Sequence, residues 1–188
     1  SEVDRGQELM VLAEGRMNRE LETRSQEKRA TADTVADDAY VSLLTDVRRI
    51  RNVRLNTNPK TILRFLTPEA IDREYPSAGT GKPVAYSVIG TEIYFRPIPD
   101  AVYMAEIDYI ASIDALDADT ATNTILLRHP DAYLHATLAE AFIYLMDDQR
   151  AQLHDQLFTR AMNEIVADED RAKYGGSMSV TTQYGEMK

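Results

Sequence analysis

The sequence contains no cysteine and no tryptophan, and it has only three histidines among 188 residues. Without cysteine the chain can form no disulfide bond, no thiolate metal site and no cysteine nucleophile. No apolar run approaches the roughly 18 residues that a membrane-spanning helix needs. We therefore expect neither a thiol-based enzyme nor a membrane partner.

The three histidines do not form a recognisable metal site. His129 and His135 are six residues apart and would not share a helix face, and no His-x-x-x-His pair occurs. The sequence predicts His129 at a helix start, and His135 and His154 on helix surfaces. We predict no metal site and no cofactor.

One stretch, PSAGTGKPVAY at 76–86, resembles the end of a phosphate-binding loop. In that motif glycine N–H groups face the phosphates, and a Ser or Thr after the Lys holds Mg²⁺ at the start of a helix. Here Pro76 occupies the first glycine position and Pro83 replaces the Ser or Thr. A strand is predicted next, so we interpret the stretch as a loop and not as a nucleotide site.

Acidic pairs are the remaining candidates for chemistry. Asp37-Asp38 and Asp147-Asp148 lie at predicted connections or helix ends, where acids are common. A small acidic hydrolase stays open as an alternative. No spacing favours it, however, and G-x-S-x-G and G-x-G-x-x-G motifs are absent. We therefore predict no catalytic residues.

The formal net charge is −10, from 31 acidic and 21 basic residues, and it is unevenly distributed. Such a protein repels nucleic acid as a whole. Residues 47–66, the basic ribbon, contain no acid and six basic residues: Arg48, Arg49, Arg51, Arg54, Lys60 and Arg64. The ribbon could pair with an acidic face of another copy, or it could be a solvated strand edge. An acidic inhibitor that mimics DNA is a further alternative, although the ribbon would interrupt its acidic surface.

Hydrophobic periodicity predicts helices at about 6–22, 126–146 and 149–172. The last two are expected to be antiparallel because their link is short. A β-rich insertion is predicted at about 39–113, with a hairpin turn at Gly90-Thr91, and 23–34 is predicted to be a polar connector. The predicted fold is therefore α+β, mainly α. It is an antiparallel helical bundle with an inserted small antiparallel β-sheet, forming one domain at 1–174 and an extended C-terminal tail at 175–188.

The second predicted helix is apolar nearly all round, which is typical of a helix that is central in a core or contacts a neighbouring chain. Its main apolar stripe consists of Leu134, Leu138, Ala141 and Leu145. In the third helix the predicted buried stripe consists of Leu153, Leu157, Ala161 and Ile165.

The ten tyrosines allow two interpretations as well: interface residues, or ordinary strand residues at Tyr86, Tyr94, Tyr103 and Tyr109.

After residue 176 the helical period stops, and apolar or larger residues alternate with small polar ones. The alternating residues are Met178, Val180, Thr182 and Tyr184. Alternation suits a strand, yet no sheet partner follows in the chain. The tail is therefore either a frayed terminus or a strand that adds to a partner's sheet.

Several local features, taken in order, resemble the head–tail adaptor (connector) proteins of tailed bacteriophages. The resemblance covers most of residues 9–173. It rests on the combination of three motifs: L-A-E-x-R-M-N-R-E-L at 12–21, L-T-P-E at 66–69 and R-H-P-D-x-Y at 128–133.

The resemblance implies a structural virion protein rather than an enzyme. Such adaptors form a ring, typically of twelve copies, beneath the portal, where they extend the DNA channel and join the head to the tail. The implied partners are other copies, the portal, tail or nozzle proteins, and double-stranded DNA that passes without specific binding. The implied location is the head–tail interface of the virion, after assembly in the host cytoplasm.

On this hypothesis two sets of residues acquire expected roles. The expected inter-subunit contacts are Arg48, Arg49, Arg51 and Arg54. The expected portal-docking residues, which would act by strand addition, are Met178, Val180, Thr182 and Tyr184.

Overall fold

The computed structural model describes residues 2–77, 79–116 and 122–173. The chain divides into two compact units. The helical unit is formed by Ser1–Arg24 together with Ile113–Lys188, and the β unit by Ser25–Ser112. The tail at 175–188 and its four alternating residues lie outside the described residues.

The described helices, in chain order, are α1 (Glu2–Glu20), α2 (Pro68–Glu74), α3 (Thr124–Arg128), α4 (Pro130–Tyr144) and α5 (Asp148–Lys173). A short 3₁₀ helix spans Arg24–Gln26. The described strands are β1 (Glu27–Asp33), β2 (Tyr40–Ser42), β3 (Val47–Leu55), β4 (Thr61–Ile62), β5 (Arg64–Phe65), β6 (Ala85–Ile89), β7 (Glu92–Arg96) and β8 (Met104–Ala111).

The β unit contains two four-stranded sheets. The first has the order β1-β8-β3-β4 and is antiparallel throughout. The second has the order β2-β7-β6-β5, and in it β5 runs parallel to β6. Strand residues from both sheets, among them Val53, Phe95 and Ile107, share one buried apolar cluster. The two sheets therefore stabilise each other by burying their apolar faces together.

The predicted hairpin turn of the β unit is confirmed, and β8 shows the alternation of a strand with one buried face. The β6–β7 turn is Gly90-Thr91, and Gly90 has a φ of +61°, a value that glycine adopts without a Cβ penalty. In β8, Ala105, Ile107 and Tyr109 are buried on the core face, as the alternation predicts.

The helical unit buries one face of each of its three long helices. The core residues are Ala13, Met17 and Leu21 from α1, Ala132, Tyr133 and Ala136 from α4, and Phe158, Ala161, Met162 and Ile165 from α5. Small alanines on α4 allow its neighbours to approach closely.

The predicted fold class is wrong: the fold is a mixed α+β fold with two sheets, not a mainly helical bundle with one small sheet. The predicted connector at 23–34 contains β1, which pairs with β8 along its whole length. Its inward-facing residues include Ala30 and Ala32, which are too small to produce a clear apolar alternation. The pairing of β5 with β6 is parallel, so the second sheet is not purely antiparallel.

The predicted helix at 126–146 is two helices, separated at His129. The backbone of His129 has φ −135° and ψ 62°. Pro130 follows it and disfavours the helical conformation in the preceding residue. The chain therefore ends α3 at Arg128 and begins α4 at Pro130.

Candidate functional site: the interaction surfaces

The basic ribbon lies on β3 and the segment after it, and its ion pairs with acids of the same chain include those of Arg51, Arg54, Lys60 and Arg64. Arg54 bridges Glu106 (2.6 Å from Nε) and Asp108 (2.5 Å from Nη1) on β8. Lys60 also approaches Glu106, at 3.4 Å. The other two pairs are Arg51 with Glu27, at 3.2 Å, and Arg64 with Glu74.

These ion pairs change the interpretation of the predicted inter-subunit residues. The side chain of Arg54 is only 15% exposed and its guanidinium is occupied by two carboxylates, so its described contacts are internal to the β unit. Arg51 is more exposed, at 42%. Arg48 and Arg49 lie near the start of β3 and line a groove. An inter-subunit role thus remains a prediction for Arg48, Arg49 and Arg51, and Arg54 is better explained as a sheet-stabilising residue.

The Arg54 cluster has a direct effect on two acids. Hydrogen bonds from Arg54 and then from Lys60 lower the pKa of Glu106, despite partial opposition from desolvation. For Asp108, desolvation raises the pKa, but hydrogen bonds from Arg29 and Arg54 outweigh it and the net shift is downward. Both carboxylates are therefore held in the charged form in the folded protein.

We expect the stability of the β unit to fall in acid because of these two carboxylates. A carboxylate whose pKa is depressed by folding contributes stability that is complete above its unfolded pKa and is lost as the pH falls through its folded pKa. The loss should occur below about pH 4.5, where unfolded Glu and Asp bind protons. Urea unfolding across this range should show a shallower pH dependence for Glu106→Gln. Glu92→Gln, at an exposed position outside the cluster, is the control; equal slopes in wild type and Glu106→Gln would contradict the assignment.

A groove with a volume of about 500 Å³ opens beside β3 and β6 in the β unit. It is lined by apolar residues, including Leu43, Phe65 and Val88, and by the arginines Arg48, Arg49 and Arg51. Phe65 is 57% exposed, which is unusual for a large aromatic ring. We call this feature the Arg-rimmed groove. Its chemistry suits a ligand that combines an apolar side chain with negative charge.

In the helical unit, α4 buries three alanines and Tyr133 and exposes several of its large aliphatic residues. Leu134 and Leu145, at the two ends of the predicted apolar stripe, are 55% and 66% exposed. The buried residues are Ala132, Tyr133, Ala136 and Ala139. Of the two interpretations that the sequence allowed for this helix, the exposed stripe favours contact with a neighbouring chain.

The exposed apolar surface continues through the end of α4. Ile143, Tyr144, Leu145 and Met146 are all more than half exposed, and Met146 reaches 90%. We call Ile143–Met146 the apolar corner. Met146 has a φ of +57°, and the N–H of Asp147 donates to the carbonyl of Phe142 at 2.9 Å. This is the helix-ending arrangement in which glycine is the usual residue with positive φ.

The structure brings together two histidines that the sequence did not connect. Nδ1 of His135 on α4 lies 3.1 Å from Nδ1 of His154 on α5, and the ring of Phe142 stacks on His154. One ring must carry its proton on Nδ1 and the other must accept it. The sequence carried no local signal for this pair, because the residues are brought together by antiparallel packing of two helices. Among the described residues, no group of three His, Cys, Asp or Glu side chains could hold a metal ion.

The structure also contains a buried polar network around Glu14 of α1, which the sequence analysis did not identify. Glu14 is 6% exposed and accepts hydrogen bonds from the N–H of Leu116 (3.0 Å) and the hydroxyl of Tyr133 (3.4 Å). Asn123 donates to the same hydroxyl at 2.6 Å. Burial raises the pKa of Tyr133 to about 12, so it stays neutral and hydrogen-bonded.

The sequence stretches considered for chemistry have local structural contacts. Asp38 accepts a hydrogen bond from the N–H of Tyr40, and Asp147 accepts one from the N–H of Arg150 at the start of α5. In the former phosphate-loop candidate, Lys82 donates to the hydroxyl of Thr57. The two aspartate contacts are typical of turns and helix caps, and the Lys82 contact joins two loops of the β unit.

Most strand tyrosines are core residues. Tyr86, Tyr94 and Tyr109 are at most 6% exposed. The ordinary interpretation as strand residues is therefore confirmed for these three tyrosines, and they are not surface anchors. It is wrong for Tyr103, which is half-buried and lies just before β8. Among the described helices, none is long and apolar enough to cross a membrane.

The exposed apolar residues of α4 and the Arg-rimmed groove are the described features that suit contacts with other proteins. Comparison with known families agrees: the family model of the SU10 adaptor protein matches residues 4–181. The chain belongs to this family, which is a family of phage head–tail adaptors, and the predicted resemblance is confirmed. No curated protein matches the chain. Family membership identifies a structural phage protein, points away from an enzyme and implies a location in the virion.

Proposed function

We propose that this adaptor forms a closed ring, typically of twelve copies, beneath the portal, extends the DNA channel and joins the phage head to its tail. The observation that carries the proposal is the family match over residues 4–181. The exposed stripe of α4 supports it, because a large apolar helix face is typical of a surface that another chain covers.

The charge distribution is compatible with contacts between copies. Residues 1–24 and 113–188, the helical unit, contain 19 acidic and 10 basic residues, a net charge of −9. The β unit contains 12 acidic and 11 basic residues, a net charge of −1. A ring needs head-to-tail interfaces, in which two different surfaces of each copy meet. An acidic surface and a groove with an arginine rim are a suitable pair of this kind.

The remaining negative charge suits a channel through which DNA passes. Each phosphate that a basic residue neutralises adds affinity for DNA and would hinder its movement. A largely acidic wall would therefore let double-stranded DNA pass without specific binding.

The tail is proposed to attach the ring to the portal. Met178, Val180, Thr182 and Tyr184 alternate in the way that suits strand addition to a partner's sheet. The domain at 1–174 would then form the body of the ring, and 175–188 its anchor.

Particle mass and negative-stain imaging of the purified chain, alone and mixed with its cognate portal protein, test this function. We expect a closed ring in at least one of the two samples. A chain lacking 176–188 should keep its circular dichroism spectrum but lose portal binding. A monomer that ignores the portal would contradict the adaptor role, and unchanged binding by the truncated chain would contradict the role of the tail alone.

A further inference from the structure

The Arg-rimmed groove and the apolar corner are two exposed features of one chain with complementary chemistry. The groove offers apolar side chains, among them Leu43, Phe65 and Val88, beside three arginines that also line it. We propose that the groove of one copy receives the apolar corner of the next copy, with Met146 inserted between the arginines. This proposal rests on the proposed ring and names the contact that would hold it together.

The conformation of Met146 is the first observation that carries the proposal. Its side chain is 90% exposed and its backbone has a φ of +57°, which side chains with a Cβ rarely adopt. Glycine would relieve this strain. Methionine at this position instead projects a long, flexible apolar side chain away from the helical unit, and such side chains adapt well to apolar grooves.

The charges on either side are the second observation. Met146 is followed immediately by Asp147 and Asp148, and Asp148 is exposed. A corner that enters the groove through Met146 brings the exposed carboxylate of Asp148 towards Arg48, Arg49 and Arg51, whereas Asp147 pairs with Arg150 of its own chain at 3.5 Å. The opposite charges fix the orientation of the corner and disfavour other partners.

The geometry of the contact is also suitable for a ring. The corner belongs to the helical unit and the groove to the β unit, so the interface joins two different surfaces. Each copy then has one corner to donate and one groove to fill. Repetition of such a head-to-tail contact closes into a ring when the rotation between copies is a whole fraction of a turn.

Disulfide trapping tests the contact cleanly because the chain has no cysteine of its own. We would introduce Met146→Cys together with Phe65→Cys and oxidise the protein under conditions in which rings form. The expected result is a ladder of covalently linked copies on a non-reducing gel. The matched control combines Met146→Cys with Val102→Cys, at an exposed apolar position that does not line the groove. It should run as a single uncrosslinked chain on the same gel. A link within one chain, or no link while rings are visible, would overturn the proposal.

A substitution series separates loss of the contact from loss of the fold. Met146→Gly should lower ring formation by about tenfold or more while leaving the melting temperature of the isolated chain unchanged or raised. The control removes a different exposed apolar side chain. It is Leu127→Ser in α3, where Leu127 is 72% exposed; serine is chosen because glycine at this position would itself break the helix. Normal rings from folded Met146→Gly would refute the insertion of Met146.

Charge exchange tests the rim. Arg49→Glu alone and Asp148→Arg alone should each weaken assembly, and the double variant Arg49→Glu/Asp148→Arg should recover it at least in part. Without recovery in a folded double variant, the proposed pairing is wrong. Rings that form in every variant would refute this contact but leave the adaptor function intact, whereas the absence of rings and portal binding in the wild type would contradict the function itself.

Discussion

Replacing Phe158 with alanine is expected to lower the free energy of unfolding of the helical unit by about 3–5 kcal/mol, the usual cost of removing a buried aromatic ring. Phe158 lies on α5, is 1% exposed and belongs to the buried cluster formed with α1 and α4. The guanidinium of Arg16 lies 4.7 Å from the centre of its ring, so the substitution also removes a cation–π contact.

Arg16 makes the loss larger than a simple cavity would. It reaches from α1 to Glu140 on α4, at 3.3 Å, and to Asp155 on α5, at 2.5 Å. The ring of Phe158 supports this guanidinium between the three helices. Without the ring, the guanidinium of Arg16 loses the aromatic surface against which it packs, and its ion pairs with Glu140 and Asp155 are less well oriented.

Leu153→Ala on the same helix is the control. The sequence pattern placed Leu153 in the buried stripe, but it is 53% exposed. Its replacement should change the free energy of unfolding by no more than about 0.5 kcal/mol. Urea unfolding followed by far-ultraviolet circular dichroism measures both. If the two substitutions cost the same, the described orientation of α5 is wrong and the stripe predicted from the sequence is right.

Asn123→Ala is expected to lower the free energy of unfolding of the helical unit by about 2–4 kcal/mol. The side chain is buried, and its Oδ1 accepts from the N–H of Leu126 at 2.9 Å as the N-cap of α3. Its Nδ2 donates to the carbonyl of Asp114 at 2.8 Å and to the hydroxyl of Tyr133 at 2.6 Å. Loss of a cap costs about 1 kcal/mol, and buried groups left without a partner cost about 1–3 kcal/mol.

Asn123→Ser separates these contributions because serine can cap a helix but has no amide to donate. We expect it to recover the capping part and to leave the remainder of the loss. Tyr133→Phe removes the shared hydroxyl and should cost less than Asn123→Ala, since the cap survives. Thermal unfolding of the three variants, analysed at one temperature, makes the comparison. Equal stability of the Ala and Ser variants would show that the cap contributes nothing, whereas a Ser variant as stable as the wild type would show that the amide hydrogen bonds contribute nothing.

Local signals predicted many of the elements. Thr67 before Pro68 is a typical local signal for a helix start, and in the structure Thr67 is the N-cap of α2 and accepts from the N–H of Ala70. Gly90-Thr91 indicated the β6–β7 turn, and Pro76 a helix end after α2. These features depend on neighbours within a few residues, so a sequence pattern is sufficient to identify them.

The sequence was less informative about the candidate sites. The basic ribbon was visible as a composition, but its internal pairing was not, because Arg54 meets Glu106 and Asp108 across two strands that are about fifty residues apart in the chain. The exposed stripe of α4 was seen as apolar, and its outward direction was decided by Ala132 and Ala136, whose small size favours close packing on the other side. The His135–His154 contact depends on the alignment of two helices, which no local pattern specifies.

By itself the sequence determined the absence of thiol chemistry, the family resemblance, the positions of the long helices and the hairpin, and an acidic chain with a basic ribbon. Only the tertiary structure decided that the β-rich segment forms two sheets, that Glu14 is buried, and that Arg54 is internal while Arg48 and Arg49 line a groove. The physical reason is the range of the interactions. Caps, turns and amphipathic periods depend on residues a few positions apart, whereas strand pairing, burial and ion pairing depend on residues that are brought together only when the chain has folded.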